Sequence, residues 1–406
     1  MNGHGMINCK TLVNGEKIII SNVITGNYLK TSKKYYDTVL ELINDKNCNQ
    51  LNDYSEKIQS NLRALIGSLM KIGVLEEKSK EYRFVEKNQK IESVFIICTN
   101  RCNLNCTHCS KESDFGNQDG LNSEKLKFVF DEVVDLKPIS ITLSGGEPLY
   151  RKNFIDELKY LRSIYEGKIV LSTNALLINE ENIKDIINNI DTISISLDGV
   201  DEETCSEIRG KNYYANVMSK IELIKKHGFS KIVLSMTITK TTEKYKGEFI
   251  GLCKRLECMP LLRRFTPMGR GEINQNRLMS RPSEQAIELE GNRLRAKECS
   301  PILKEICIDE MGRVFPCQLL MERKFCLGNL LDIGQSLKVM IKKNGRHVNK
   351  EIENVRPFNS NECRECNVNL FCWSCLGNYI NIKNNKEVFE ELCEFKRNIL
   401  VSKVWN

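Results

Sequence analysis

The chain has 406 residues, more than one ordinary domain holds and ample for several hydrophobic cores. Its 60 basic and 53 acidic residues leave a formal charge of +7 with no long single-sign block, so composition permits a nucleic acid partner without indicating one. No run nears the roughly 18 apolar residues of a membrane span, and the start lacks a basic-then-apolar signal pattern. The chain therefore reads as cytoplasmic, where eighteen cysteines point to metal rather than disulfides.

Short strands come first. Ile18, Ile19 and Ile20 run into Val23, with Asn14-Gly15 and Gly26-Asn27 as turns. Two helices follow, one from Tyr36, Val39, Leu40, Leu42 and Ile43, the other from Leu62, Leu65, Ile66, Leu69 and Met70, ended by Gly73. With a return strand over 74–85 these elements suggest a winged helix-turn-helix over 1–88. A DNA-reading helix would be basic, yet 61–73 offers only Arg63 and Lys71, so nucleic acid is not the expected partner.

After a polar link at 86–90 the pattern changes to strands alternating with helices, the mark of parallel βα units. Strands are predicted at 93–97, 139–143, 168–173, 192–197, 231–238 and 261–265, with a helix such as 123–136 between them. The expected fold class is α/β, a barrel of six βα units over 89–295 with its chemistry where strand ends meet loops. Beyond 295 the alternation stops, and nine of the eighteen cysteines lie from Cys299 onward. Residues 296–406 read as a separate metal-rich domain.

Directly after the first barrel strand stands Cys102-Asn-Leu-Asn-Cys106-Thr-His-Cys109. Three thiolates on one loop can hold three irons of a four-iron cube and leave the fourth iron open, whereas an electron-transfer cluster takes four cysteines. Taken alone, the loop also fits a three-cysteine zinc site with a fourth ligand such as His108, or buried thiols. Cys98 reads as a strand-end packing thiol.

Together with Gly145-Gly146-Glu147-Pro148 after the second strand, the Cys102, Cys106 and Cys109 triad resembles the radical S-adenosylmethionine superfamily. The resemblance implies a partial (β/α)6 barrel, one catalytic 4Fe-4S cluster on the three cysteines, and S-adenosylmethionine chelated by the open iron. It implies that the Gly145 to Pro148 loop meets the amino group, and two glycines suit a close backbone approach. Ser172 and Asn174 after the third strand, and Ser196 and Asp198 after the fourth, resemble the ribose-contacting segments, although Ala175 stands where a glycine is usual. Arg209 resembles the arginine that pairs with the methionine carboxylate, a task suited to a guanidinium fork. The aromatic residue usual before the third cysteine is replaced by His108. Met268-Gly269-Arg270-Gly271 matches a recurring loop of the family.

In the tail, Cys363-x2-Cys366-x5-Cys372-x2-Cys375 precedes Cys393, and Cys299 and Cys317 lie upstream. This spacing resembles the SPASM domain of peptide-modifying radical enzymes. The resemblance implies two auxiliary 4Fe-4S clusters, one on Cys299, Cys317 and Cys375 with Cys307 optional, the other on Cys363, Cys366, Cys372 and Cys393. Cys307 in its apolar run fits a buried strand thiol equally well, two zinc knuckles are the plain alternative for the tail, and Cys326 reads as packing. Residues 6–85 resemble the RiPP recognition element, which takes the leader of a precursor peptide as an added strand.

The three resemblances imply a peptide maturase that installs thioether crosslinks at cysteines, served by a flavodoxin- or ferredoxin-like electron donor. Carbon-carbon crosslinking, epimerisation and sulfatase-type maturation are the rival reactions, the last disfavoured by Gln318 where an acidic residue is usual. An iron-sulfur DNA regulator is the non-enzyme alternative.

Overall fold

The computed structural model describes residues 4–6, 9–23, 25–44, 51, 53–77, 91–280, 304–332, 336–372 and 375–406. The N-terminal part opens with β1 (His4–Met6), β2 (Cys9–Asn14), β3 (Lys17–Asn22) and β4 (Tyr28–Ser32), followed by the helices α1 (Lys33–Asn44) and α2 (Glu56–Lys71). Strands β2, β3 and β4 form an antiparallel sheet, and Gly15 at φ 58° makes the first turn. On one face of β3, Ile18 and Ile20 join Val39, Leu62 and Leu69 in a closed core. Ile19 points the other way and is equally buried, so this strand is covered on both faces and loses the usual alternation. Helix α2 ends as expected at Gly73 (φ 74°), where the Gly73 and Val74 amides bond back to Met70 and Leu69. The return strand differs from expectation: β5 (Leu75–Glu77) pairs with β1, not with β2–β4. Residues 78–85 lie outside the described set.

The second unit is built on one large sheet. Its parallel strands are β6 (Ser93–Thr99), β7 (Ser140–Gly145), β8 (Lys168–Thr173), β9 (Thr192–Ser196), β10 (Ile232–Ile238) and β11 (Met259–Arg264). They lie side by side in sequence order, close to the six predicted segments. Between and after them run α3 (Ser123–Asp135), α4 (Phe154–Ile164), α5 (Ile183–Asn189), α6 (Glu202–Arg209), α7 (Tyr213–Lys226), α8 (Lys246–Arg255), α9 (Arg270–Ile273) and α10 (Gln275–Leu278).

Register sorts the side chains of this sheet. Ile96, Leu143, Leu171, Ile195 and Leu234 are fully buried. The pairs Ile97–Ser144, Ser172–Ser194, Ser196–Ser235 and Thr237–Arg263 fall on the opposite face. That face turns polar toward the strand C-termini, where parallel sheets carry their ligands.

The sheet also runs further than the sequence marks. β12 (Glu305–Ile308) pairs in parallel with β6, and β13 (Arg313–Phe315) and β14 (Gly328–Asn329) extend it antiparallel. The apolar Ile306-Cys307-Ile308 run covers the edge that β6 would otherwise expose. Helix α11 (Leu337–Asn354) follows.

The remaining helices are α12 (Asn369–Cys372), α13 (Leu376–Lys383) and α14 (Lys386–Trp405). The chain's contacts group these last residues with the N-terminal part: one unit holds residues 1–88, 282–299 and 354–406, the other 89–281 and 300–353. The expected division into 1–88, 89–295 and 296–406 stands beside this grouping as a reading of the sequence. A strand-forming run inside the tail belongs to the large sheet, and the second face of the N-terminal sheet buries Leu12 and Ile19 among lysines. Tyr28 stands edge-on to Phe371 with ring centroids 5.0 Å apart, and the Lys10 ammonium lies 4.4 Å from the Phe358 ring. Lys17 and Lys30 both donate to the Trp405 carbonyl, at 3.1 and 3.4 Å. Among the described residues no helix is long and apolar enough to cross a membrane.

Candidate active site

The loop after β6 brings Cys102, Cys106 and Cys109 to the C-terminal end of the sheet, with Cys102 and Cys106 buried and Cys109 half-buried. Each sulfur faces a donor. The Leu104 amide lies 3.4 Å from the Cys102 sulfur, the Ser113 amide 3.4 Å from that of Cys109, and Arg209 Nη1 3.7 Å from that of Cys106. Burial pushes the Cys102 thiol up to about 12, the Leu104 amide opposes it, and charge on Glu147, Cys106 and Cys109 adds to the rise. Burial also raises Cys106, against the Arg209 charge and with that of Cys109. Thiols as buried as Cys102 and Cys106 ionise readily only when a cation compensates them, and amides aimed at sulfur stabilise and tune such a centre. The residues present thus fit an iron-sulfur cluster. Among the described residues no three His, Cys, Asp or Glu side chains close on one point as a single ion requires; thiolates on a cube bind separate irons and need not.

The two glycines serve the approach of chain to chain. A Cβ at Gly145 (φ 141°) would lie 2.2 Å from the Thr99 carbonyl oxygen, and one at Gly146 2.2 Å from that of Arg101. The Gly146 and Glu147 amides bond to those same carbonyls at 2.8 and 2.9 Å. The loop is thereby pinned to the segment that leads into the cysteines. Pro148 opens a short turn, and Glu147 caps it by accepting from the Leu149 amide at 3.1 Å. Fully buried, Glu147 also accepts from Thr173 Oγ1 and the Asn174 amide, both at 2.7 Å. Burial lifts its carboxyl to about 7, while the Asn174, Thr173 and Leu149 donors pull it down.

Asn174 bridges two loops, with Nδ2 2.7 Å from Asn103 Oδ1 and 3.9 Å from the Cys102 sulfur. Ala175 sits at φ 66°, a left-handed conformation that accounts for a glycine being usual there. Ser172 and Ser196 lie on the polar face of the sheet, and the Ser196 carbonyl accepts from the Tyr213 hydroxyl.

Asp198 is almost fully buried. Arg209 holds its Oδ2 through Nε at 2.7 Å and Nη2 at 2.5 Å, His108 Nε2 lies 3.0 Å from the same oxygen, and the Thr237 amide donates to Oδ1 at 2.5 Å. Burial opposes ionisation here, but the Arg209 and His108 charges and the hydrogen bonds outweigh it and hold the carboxyl well below its usual range. The structure therefore joins three residues that stand apart in the sequence motifs: Asp198, Arg209 and His108.

Sequence reasoning missed the bracing of the cysteine loop. Arg270 donates from Nε to the Cys106 carbonyl at 3.0 Å and from Nη2 to that of Ser113 at 2.7 Å. Asn274 donates to the Thr107 carbonyl at 3.0 Å. Below the loop, Arg151 pairs with Glu157 at 2.7 Å and donates to the Cys98 and Leu121 carbonyls. The Met268 to Gly271 motif is the only sequence signal for any of these.

Residues 96–252 match the Radical SAM superfamily. The segment runs from β6 into α8 and contains the three cysteines, the paired glycines, Asp198 and Arg209. The sheet is a radical SAM α/β fold. Among curated relatives, the mycofactocin maturase MftC of Mycolicibacterium smegmatis is 24% identical over 261 residues, 58% of this chain and 66% of that protein. The antilisterial bacteriocin subtilosin biosynthesis protein AlbA of Bacillus subtilis is 26% identical over 328 residues, 74% of this chain and 70% of that protein. The chain spans 44 to 70% of the length of the mycofactocin maturases it matches. Streptococcus suis SuiB, solved with the precursor peptide SuiA, superposes with a TM-score of 0.54 at 14% identity, covering 93% of this chain and 97% of that one. A likeness at that identity concerns the fold alone.

Outside this radical SAM segment, four cysteines of the other unit form a second cluster of thiols. Cys372, pushed up to about 12 by burial, is also influenced by Lys396 and by charge on Cys393, Cys363 and Cys366. Burial raises Cys363, which the Ser360 and Tyr379 hydroxyls contact, and Cys393 and Cys366 add to the rise. This mutual influence and burial fit a four-thiolate cluster site. Cys375 stands at the start of α13, and Cys299 lies outside the described residues. Cys307 is buried in β12, packed with Ile97 and Phe315, and burial pushes its thiol up to about 12. Cys326 packs against the same group, and Cys98 is a buried strand thiol.

Proposed function

We propose that this chain is a cytoplasmic radical S-adenosylmethionine enzyme that modifies a ribosomally synthesised precursor peptide, most specifically by installing thioether crosslinks at cysteines. The observation that carries the reading is the trio of thiols on one braced loop, at the polar end of a parallel sheet, each with a donor aimed at its sulfur. Similarity to MftC and AlbA supports a peptide as substrate. When bound, the 4Fe-4S cluster and S-adenosylmethionine supply a carbon radical able to take hydrogen from an unactivated carbon.

The chain's own residues do the positioning. Cys102, Cys106 and Cys109 would hold the cluster, and Arg270 and Asn274 fix the shape of their loop. The carbonyls and glycines of Gly145 to Pro148, with Ser172, Asn174, Ser196, Asp198 and Arg209, would form the S-adenosylmethionine pocket. Cys363, Cys366, Cys372 and Cys393 would hold one auxiliary cluster, and Cys299, Cys317 and Cys375, with Cys307 optional, another. The N-terminal sheet with α1 and α2 is read as a winged, RiPP recognition element-like domain that docks the peptide leader by strand addition. A flavodoxin- or ferredoxin-like protein would deliver the electron.

Anaerobically reconstituted protein with Cys102→Ala, Cys106→Ala and Cys109→Ala should form no 5'-deoxyadenosine from S-adenosylmethionine under reduction. Undiminished formation refutes the assignment. Mass spectrometry of a short cysteine-rich peptide encoded beside this chain, co-expressed with it, should show a loss of two hydrogens for each thioether formed.

A further inference from the structure

Cys363, Cys366, Cys372 and Cys393, called the cage here, and the N-terminal sheet belong to one compact unit, and two short paths of contact connect them. The first runs through rings: Tyr28 of β4 meets Phe371 edge-on, centroids 5.0 Å apart at 78°, and Phe371 immediately precedes Cys372. The second runs through α14. Its last carbonyls carry the negative end of a 20-residue helix. Lys17 binds the Trp405 carbonyl at 3.1 Å, and Lys30 binds those of Val404 and Trp405 at 3.4 Å. The buried Trp405 ring then donates from Nε1 to the Asn367 carbonyl at 3.0 Å, next in chain to Cys366. Both paths start on the face of the sheet opposite α1 and α2, and both end one residue from a cage thiol. Cys393 itself lies on α14.

We infer that Tyr28, Lys17 and Lys30 are positioning residues for the Cys363, Cys366, Cys372 and Cys393 cage, so that the outer face of the N-terminal sheet is a working part of that metal site. The inference rests on the reading that the cage holds a cluster. Geometry gives it direction. A ligand thiolate must meet its iron at a set distance and angle, so a contact that fixes the neighbouring residue fixes the sulfur, as partners behind metal ligands generally do. The domain read as the peptide dock is thereby sensitive to whether the cage is filled.

The test uses the full chain carrying Cys102→Ala, Cys106→Ala and Cys109→Ala, reconstituted without oxygen, so that the remaining iron belongs to the C-terminal sites. Adding Cys372→Ala defines the share of iron and of the reduced-state paramagnetic resonance signal that comes from the cage. Against that background, Tyr28→Ala, and separately Lys17→Ala with Lys30→Ala, should alter the cage signal and release its iron to a chelator about tenfold faster, the scale of one lost aromatic pair or charged contact. Tyr28→Phe, which keeps the ring contact, should match the parent. Lys10→Ala, which frees only Phe358, should leave the signal in place. An unchanged signal and release rate in Tyr28→Ala and in the lysine pair overturn the inference, as does an equal effect from Lys10→Ala. If Cys372→Ala removes no iron, the cluster reading of the cage fails and takes the inference with it.

Discussion

Arg209 holds Asp198 through Nε and Nη2 on a single carboxylate oxygen, at 2.7 and 2.5 Å, with both side chains nearly or fully buried. The remaining nitrogen faces the Cys106 sulfur. One guanidinium therefore ties the end of β9 to the cysteine loop. Resemblance alone assigned Arg209 to a carboxylate of S-adenosylmethionine; the structure adds a carboxylate of the chain itself.

Asp198→Asn removes the charge that compensates a buried arginine. Breaking one side of such a pair costs about 3 kcal/mol, and denaturant unfolding should show a loss of that order. Asp198→Asn combined with Arg209→Gln should recover part of it, because the two effects are coupled. A loss below about 1 kcal/mol in the single variant would mean that the pair is not the tie described.

Glu147 predicts a pH dependence. Its carboxyl is raised to about 7 from an ordinary 4.5, so between those values the folded protein binds a proton that the unfolded chain has released. Stability contributed by this group is therefore full below pH 4.5 and is lost as pH rises toward 7. The unloaded protein's thermal midpoint should fall across that window, and Glu147→Gln should flatten the fall while lowering the midpoint overall, since its amide would face donors. A slope identical in the two proteins would assign the dependence elsewhere.

Arg270→Met should strip two hydrogen bonds from the cysteine loop while keeping the length of the side chain. Each such bond from a charged donor is worth about 1.5–3 kcal/mol. Iron bound at the Cys102 loop should be lost to a chelator at least about tenfold faster, with the C-terminal iron unaffected. Equal loss from both sites would indicate general unfolding instead.

Two glycines separate crowding from backbone strain. Gly145→Ala puts a methyl 2.2 Å from the Thr99 carbonyl at φ 141°, whereas Gly210→Ala at φ 102° meets nothing within 4 Å. The first should destabilise by well over about 2 kcal/mol, or prevent soluble expression. The second should cost about 1–3 kcal/mol, the strain alone of a conformation that glycine adopts and alanine does not. Similar midpoints for the two would contradict the close approach of β7 to the cysteine loop.

Much of the site is legible in the amino-acid sequence, because its signals are local. Cys102, Cys106 and Cys109 lie within eight residues of one another, and the paired glycines mark a place where backbone must touch backbone. The six parallel strands are legible for the same reason: apolar runs of strand length recur between helical stretches, and register then follows from connectivity. Ala175 shows the limit of this reading. Its departure from glycine suggests a loss of resemblance, yet the structure keeps the left-handed turn and bears the strain in an alanine.

The chain order of residues determined the chemistry on offer: three thiols on a loop, two glycines behind it, a second set of cysteines near the end. Only the tertiary structure decided what stands next to what. That Ile306-Cys307-Ile308 joins the large sheet, that Arg270 braces a loop more than 150 residues earlier, and that Tyr28 meets Phe371 are contacts between segments distant in sequence. They arise because an exposed strand edge, and side chains such as Leu12 and Ile19 on the outer sheet face, must be covered by something, and sequence spacing carries no record of which segment is near enough to do it.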